Sequence, residues 1–575
     1  MNAVVTSRAD ADVHYSMGRQ LKALNDLAGA EISYRAAIEL RPRFYDAWIS
    51  LGILLKQLGR SAEAEDCQRA AIEICADNPL GHVNLGNALL LRGARDEAAQ
   101  SFRKAADLDP ACAEAHNNLG HILLAAKKRA LAATHFTAAL AARPDYFEAA
   151  AGLGEALVDD DRFAAAIAPL TLANRLRPEH AEVRILLGRA LGGVGEFTGA
   201  AAQFEEVLRK HPDRRAAIYG LATSLAYSGQ FTRPRRLLKD AVDAAPQDPF
   251  TRFAYASLLL RAGEYALGWE HYAARDAFET RPAPALPQQR WHGESLAGRT
   301  LLVTREQGLG DEIMFASLFG ELIGMARHCI IECDARLVPL YRRSFPDATF
   351  IGIAAGETTH APAAPFDCWA RLGDLASHLR RSAGDFPRHG GYLRADESRV
   401  ATWRELLDRR FGTGPRIGIG WRGGVARTRA SERSLTLEQL MPILGSPPGG
   451  FVSVQHGPCN DELTAFRARS GVDLEHWQAA IDDLDEYAAL IAALDLTISV
   501  CSAAVHLAGA LGKPAWALAP FVPEWRYGHS GSSMIWYPSV RVFRQPRAGH
   551  WAPVIAEAKR SLRRLRDVPS HSTCA

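Results

Sequence analysis

The sequence predicts a solenoid of paired helices followed by an α/β region made of two halves, each a parallel sheet wrapped by helices. A repeat of 34 residues runs through the first half of the chain. At about residue 300 it gives way to short apolar runs that alternate with amphipathic segments, and that alternation occurs as two successive series. At 575 residues the chain is too long for one hydrophobic core, so several folding units are expected.

Aligning the chain with itself at 34 residues places Gly18, Gly52, Gly86, Gly120, Gly154 and Gly188 in one column, continued by Ala222 and Ala256. Three residues on, the column is leucine throughout, from Leu21 and Leu55 to Leu225 and Leu259, and Ala30, Ala64, Ala98, Ala132, Ala166 and Ala200 form a third column. Two helices that cross closely need small residues where their backbones approach and leucine in the groove between them. Phe102, Phe136 and Phe204 supply an aromatic column, and Pro42, Pro110, Pro144, Pro178, Pro212 and Pro246 end the second helices, because proline cannot continue a helix.

This spacing is the tetratricopeptide pattern, and it covers residues 11–275 in about seven to eight units. Pro234 and Gly268 take the alanine place in the last two, the drift expected where another domain caps a solenoid. Stacked repeats present a concave groove suited to an extended peptide or a partner protein. Asn84 and Asn118 stand two residues before their glycines and are expected to line that groove. Their place is similar to that of the asparagine ladder of O-GlcNAc transferase, although Gly152, Leu186 and Gly220 interrupt the series and a solvated surface fits equally well.

Residues 276–299, including RPAPALPQQRWHGESLAGR, lack helical period and are expected to be a linker. One Rossmann-like half is then expected over residues 300–410, beginning with TLLVT, a glycine loop and a helix from Asp311. A second is expected over 411–566, from RIGIGW through FVSVQ and LTISV to a helix from Ala504. A C-terminal helix from Val554 to Leu565 is expected to cross back onto the first half. Ligands bind at the carboxyl ends of parallel strands, so the cleft between the halves is the expected site.

The formal net charge of +2 gives no global basic field, and nothing in it supports a nucleic-acid partner or an anionic membrane surface. Nine cysteines without a C-x-x-C pair argue against a zinc site or a disulfide framework, and Cys329 and Cys333 are expected as core thiols. The N-terminus has no apolar signal region. The longest uncharged apolar stretch, Leu496–Gly512, contains His506 and several glycines, so no membrane span is expected and a cytoplasmic location is.

Three segments carry candidate chemistry. In EQGLGDEI, Gly308 and Gly310 allow a tight turn and close approach to a ligand, and Asp311 at the helix start is a general base or simply a helix cap. In VCSAAVHLAGALGKPAW, a turn at Ser502, Ala503 and Ala504 opens a helix whose free N–H groups favour phosphate; His506 on its first turn is a ligand or a core residue. The loop WRGGVARTRASERS holds Arg422, Arg427, Arg429 and Arg433, suited to a diphosphate or a nucleotide carboxylate, or in part to a solvated basic face. The Asp483-Leu484-Asp485 triplet suggests a chelating pair, but Asp10 and Asp12 repeat that pattern at the chain start, and no metal is assigned.

EQGLGDEIMFA, RIGIGWRGG followed by ERSL, DEYAALIAALDLTISV, HLAGALGKP, PEWRYG and WYPSVRVFRQ stand in the order found in tetratricopeptide-linked glycosyltransferases related to the heptosyltransferases, which the second half resembles from about Trp291 onward. The resemblance implies a GT-B-type enzyme, and a metal-independent, inverting transfer from a nucleotide-sugar without further cofactor. Asp311 would take the acceptor proton; Ser502–His506 and Arg433 would neutralise the departing phosphate; Trp525, Arg526 and Tyr527 would shape the donor pocket, with Ser434 and Gln455 also on the donor side. Relatives often carry Asp-Thr where this chain has Cys501-Ser502, which leaves the donor open. The joining of the two modules resembles flagellin glycosyltransferases, with a CMP-linked nonulosonic acid as donor and flagellin as acceptor, and equally O-GlcNAc transferase, with UDP-GlcNAc. A non-catalytic repeat scaffold and a transferase acting on a glycan or lipopolysaccharide are the other readings.

Overall fold

The computed structural model describes residues 2–278, 286–306, 308–354, 357, 365–412, 414–424, 432–445 and 450–566. The chain divides into two compact units, Met1–Val207 and Leu208–Ala575. Sixteen α-helices run from Asn2–Ala23 to Tyr265–Tyr272 as eight helix-turn-helix pairs.

In the first unit the glycine column lies under the ring column. A Cβ at Gly86 would come within 2.6 Å of the Phe102 ring, one at Gly120 within 2.6 Å of Phe136, and one at Gly188 within 2.7 Å of Phe204; Tyr34 covers Gly18 in the same way at 2.7 Å. The buried alanines, Ala30, Ala64, Ala98, Ala132 and Ala166, sit where the paired helices meet. A Cβ at Gly152 would lie 2.5 Å from the Phe136 ring. The asparagine series therefore breaks there for a packing reason: the ring leaves no room for an asparagine.

A further column of period 34 emerges from the backbone. The turn inside each helix pair has one residue at positive φ: Asn25 (62°), Gly59 (77°), Gly93 (83°), Lys127 (59°), Asp161 (55°), Gly195 (84°), Gly229 (85°) and Gly263 (83°). Glycine adopts this left-handed geometry freely, whereas a side chain brings Cβ too close to the backbone.

The second unit contains the helices Arg215–Tyr227, Thr232–Ala244, Pro249–Ala262 and Tyr265–Tyr272 and two sheets. Strands β1 (Gln289–Arg290), β2 (Thr300–Thr304), β3 (His328–Asp334), β4 (Thr349–Ile353) and β5 (Cys368–Arg371) form a parallel sheet in the order β1-β5-β2-β3-β4. Strands β6 (Arg416–Gly420), β7 (Gly450–Ser453), β8 (Leu496–Val500), β9 (Ala515–Ala519), β10 (Ser533–Met534) and β11 (Tyr537–Arg544) form the other in the order β10-β11-β9-β8-β6-β7, parallel except for β10 against β11. Strands β2, β8 and β9 are buried along their whole length, as strands covered on both faces must be.

Two elements depart from expectation. The stretch read as a linker contains β1, which extends the first sheet by pairing with β5. The C-terminal helix, Ala552–Arg566, does not return to the first half; Val554, Ile555, Ala558 and Leu562 are buried with Leu440, Ile443 and Phe543 in the core of the second sheet. Its apolar stripe is buried in the same core as the helix Leu437–Leu444 and β11, so it completes the second half's own core.

Buried ion pairs tie the last helical turn of the repeats to the first sheet. Arg275, 4% exposed, donates to Glu306 at 2.7 Å and to Asp374 at 3.0 Å, and Glu306 also accepts the Gly373 N–H at 2.8 Å.

Replacing Lys127 or Asp161 by glycine is expected to stabilise the repeats by about 0.5–1 kcal/mol each, since relief of left-handed strain exceeds the entropy that glycine costs. Urea unfolding followed by helical circular dichroism measures this. A shift to lower urea for both variants would contradict it.

Candidate functional site

In the first sheet the chain lays β3 and β4 on one side of β2 and then crosses to β5 on the other. In the second it lays β7 beside β6 and then crosses to β8. Such reversals leave a crevice at the carboxyl ends of the strands. The segment after β2, the segment after β6 and the turn after β8 meet there around a cavity of about 740 Å³.

Gly308, Gly310, Asp311, Arg422, Arg433, Ser434, Gln455, Ser502, Ala503, Ala504, His506 and Arg526 all line this cavity, so the structure brings these residues together from distant parts of the sequence. Asp311 lies inside the helix Leu309–Phe315, whose cap is Gly308, and so is not the N-cap. Neither glycine of the motif has positive φ. A Cβ at Gly310 would stand 3.3 Å from His506 Cδ2, so its smallness serves close approach between the two halves. Asp311 Oδ1 accepts from Arg526 Nε at 2.6 Å and also pairs with its Nη2. Burial pushes the Asp311 carboxyl above its ordinary pKa, while Arg526 pulls it down; burial prevails.

Across the cleft, Arg526 Nη1 donates to Glu524 Oε2 at 2.6 Å, the other oxygen of Glu524 pairs with Arg433, and Arg433 Nη2 donates to the Cys501 carbonyl at 2.8 Å. The helix Ala503–Ala510 begins at Ser502 without a side-chain cap, because the Ser502 hydroxyl lies against Ser499 Oγ at 2.9 Å. Its first N–H groups thus open toward the cavity. Other residues brace the site. Gln455 Oε1 accepts the Trp421 and Arg422 N–H groups at 3.0 and 2.8 Å, and Ser434 Oγ accepts the Gly423 N–H at 3.2 Å. Arg422 reaches Pro458 O at 2.8 Å.

Several assignments change. Trp525 does not line the cleft. Its ring is buried among Trp269, Tyr272, Phe315 and Trp536, with centroids 5.3 to 6.5 Å away, since a flat apolar ring gains more in that cluster than beside charges. Glu524, Arg336 and His456 also line the cavity. Glu524 stands within the quoted PEWRYG, whereas Arg336 and His456 carry no motif signal. Arg427 and Arg429 lie outside the described residues. Asp483 caps the helix Leu484–Ala493 and Asp485 pairs with Arg343, so that triplet has structural work; among the described residues no group of three metal-ligating side chains occurs. In the first unit Asn118 donates to Asn87 at 3.1 Å, while the Asn84 amide nitrogen is buried without a partner.

The family models agree with the repeats read in the first half of the chain. Residues 15–79, 117–181 and 185–249 match one tetratricopeptide repeat family, and residues 86–126 match a second. The helical pairs are tetratricopeptide repeats. Protein FlbA of Caulobacter vibrioides is 35% identical over 338 residues, and the match covers 56% of this chain and 56% of FlbA, so the chain spans little more than half of that relative's length. Among solved structures, YrrB, described as a TPR protein with an unusual peptide-binding site, is 24% identical over 32% of this chain and 96% of its own, with a TM-score of 0.32. PilF of Pseudomonas aeruginosa is 20% identical over 37% of this chain and 96% of its own, with a TM-score of 0.34. No described helix is long and apolar enough to cross a membrane.

His506 is 5% exposed, with Nδ1 3.1 Å from the Tyr537 hydroxyl and Nε2 3.3 Å from that of Tyr527. Burial, helped by Arg526 and Arg433, lowers its pKa from 6.5 to about 3. Between those values the unfolded chain binds one proton more, so stability is full above the unfolded value and falls as pH drops, by about 1.4 kcal/mol per pH unit. Urea unfolding of wild type and His506→Gln between about pH 7 and about pH 5 tests this, the variant losing about one proton of slope. Equal slopes would mean that another group controls acid stability.

Proposed function

We propose that the chain is a glycosyltransferase of the two-lobed GT-B type that moves a sugar from a nucleotide-sugar donor to Ser or Thr hydroxyls of a protein held by the repeats. The supporting observation is the meeting of a carboxylate from one half with arginines and an uncapped helix start from the other. A cleft of about 740 Å³ has room for a nucleotide-sugar.

In this reaction Asp311 takes the proton of the acceptor hydroxyl as its oxygen bonds to the anomeric carbon. The bond from that carbon to the phosphate oxygen breaks, and the electron pair leaves with the phosphate. Arg433, Arg526 and the N–H groups of Ala503 and Ala504 stabilise the negative charge that develops there. Attack opposite the leaving group inverts the anomeric centre, and no step requires a metal. The resemblance to flagellin glycosyltransferases makes flagellin, with a CMP-linked nonulosonic acid donor, the first pair to test, and UDP-GlcNAc the comparison donor.

A second reading, a repeat scaffold with a structural C-terminal half, draws on the ion pair that engages Asp311. Turnover separates the two. Asp311→Ala should lower transfer to the acceptor, read by intact mass, by about 10²- to 10⁴-fold in protein whose melting curve shows that it is folded at the assay temperature. Transfer at the wild-type rate would remove Asp311 as the base, and absence of transfer by wild type across a panel of nucleotide-sugars would favour the scaffold.

A further inference from the structure

The charged groups of the cleft form one chain, Asp311–Arg526–Glu524–Arg433, in which each arginine is held by a carboxylate of the protein itself. All four side chains are at least partly shielded, with exposures of 24%, 15%, 26% and 8%. Shielding strengthens the pairs relative to surface contacts. A phosphate group entering this cavity meets arginines that already have anionic partners, and it competes with those carboxylate oxygens for the N–H groups aimed at them.

The same chain also borders a second cavity. Glu524 and Arg526 line both the 740 Å³ cleft and a neighbouring cavity of about 320 Å³ against the last repeats, where Tyr219, Tyr227 and Ser257 stand. Arg526 therefore lies between Asp311 and the wall formed by helices Arg215–Tyr227 and Pro249–Ala262.

We propose that Asp311 and Glu524 act as internal stand-ins for phosphate oxygens on Arg526 and Arg433, and that an incoming phosphate exchanges with them and so frees the Asp311 carboxylate. Release from a cation raises its affinity for a proton. The exchange thus makes the base competent when the donor's phosphate is in place, and donor binding precedes acceptor activation. The donor's identity rests on the sugar-transfer reading; the exchange itself concerns phosphate and these four side chains.

Calorimetric titration of the full chain with inorganic pyrophosphate tests this without any transfer. Removing a competing carboxylate should help the anion, so Asp311→Asn and Glu524→Gln should each bind pyrophosphate about fivefold more tightly than wild type, whereas Arg526→Gln should bind it more weakly. Melting curves check that each variant folds, and Glu524→Gln reads the same exchange should Asp311→Asn fail to fold. Pyrophosphate affinity that is unchanged or weaker in the folded carboxylate variants, or no binding by any form, overturns the exchange. Tightening in a protein that transfers no sugar would keep the exchange and sink the transferase reading, and transfer without tightening would do the reverse.

Discussion

The helix Ala503–Ala510 is the part on which the cleft depends, because it is packed closely at its start and, beyond its end, held by backbone contacts that leave no room for a side chain. At its start Gly310 approaches His506 and Ala503, with a Cβ placed 3.3 and 4.0 Å from them. Beyond its end Gly512, at φ 70°, lies against the backbone of Gly390, and a Cβ at Gly391, at φ 114°, would stand 2.7 Å from the Gly512 nitrogen. The Tyr392 and Leu393 N–H groups both donate to Ala510 O, at 2.8 and 2.9 Å. A helix so held keeps its uncapped N-terminus on the cavity that Asp311, the residue after Gly310, also lines.

Burial also explains why Asp311, of the three acidic residues in Glu306–Ile313, is the one that faces the cleft. Glu306 is tied to Arg275 and the Gly373 N–H. Glu312 is fully buried, accepting from Arg305 Nε at 2.8 Å and from the Asp334 N–H at 2.7 Å, and burial pushes its carboxyl up to about 7. Glu306 ties the segment to the turn at Gly373 and Glu312 ties it to the end of β3. A buried carboxylate with partners on every side is poor at exchanging protons with a substrate, whereas Asp311 keeps a quarter of its side chain open.

The repeats were legible because their rule is steric: glycine beneath a ring and leucine between helices recur wherever two helices cross at one distance. The left-handed column is not legible in the sequence because Asn25, Lys127 and Asp161 occupy it beside the glycines, and residue identity does not report φ. The cleft was legible through small residues and charges next to strand ends. Partners set by three-dimensional packing were not. Nothing in the sequence distinguishes Trp525 as a core ring from a ring facing a ligand, and Arg336 and His456 stand outside any motif. The helix Glu397–Phe411 likewise falls on the first side of the sequence boundary, yet its Trp403 donates to Glu486 of the second half at 2.9 Å.

The last repeats meet a different neighbour. In the second unit the helix Tyr265–Tyr272 shares one core with both sheets, Trp269 and Tyr272 lying among Phe315, Trp525 and Trp536, and Trp269 Nε1 donating to the Arg380 carbonyl at 2.8 Å. Gly229, in the turn before Thr232–Ala244, abuts the Phe521 ring, and Phe231 lies against His529. Here the neighbour is a sheet and its loops instead of another repeat. Gly268 still marks a close approach within its helix pair, where a Cβ would stand 2.7 Å from Leu260, and the loop Glu524–Tyr527 that carries Arg526 is packed through Trp525 against the end of the repeats. Changes in how those helices pack would therefore reach Arg526, and through it Asp311, by direct contact.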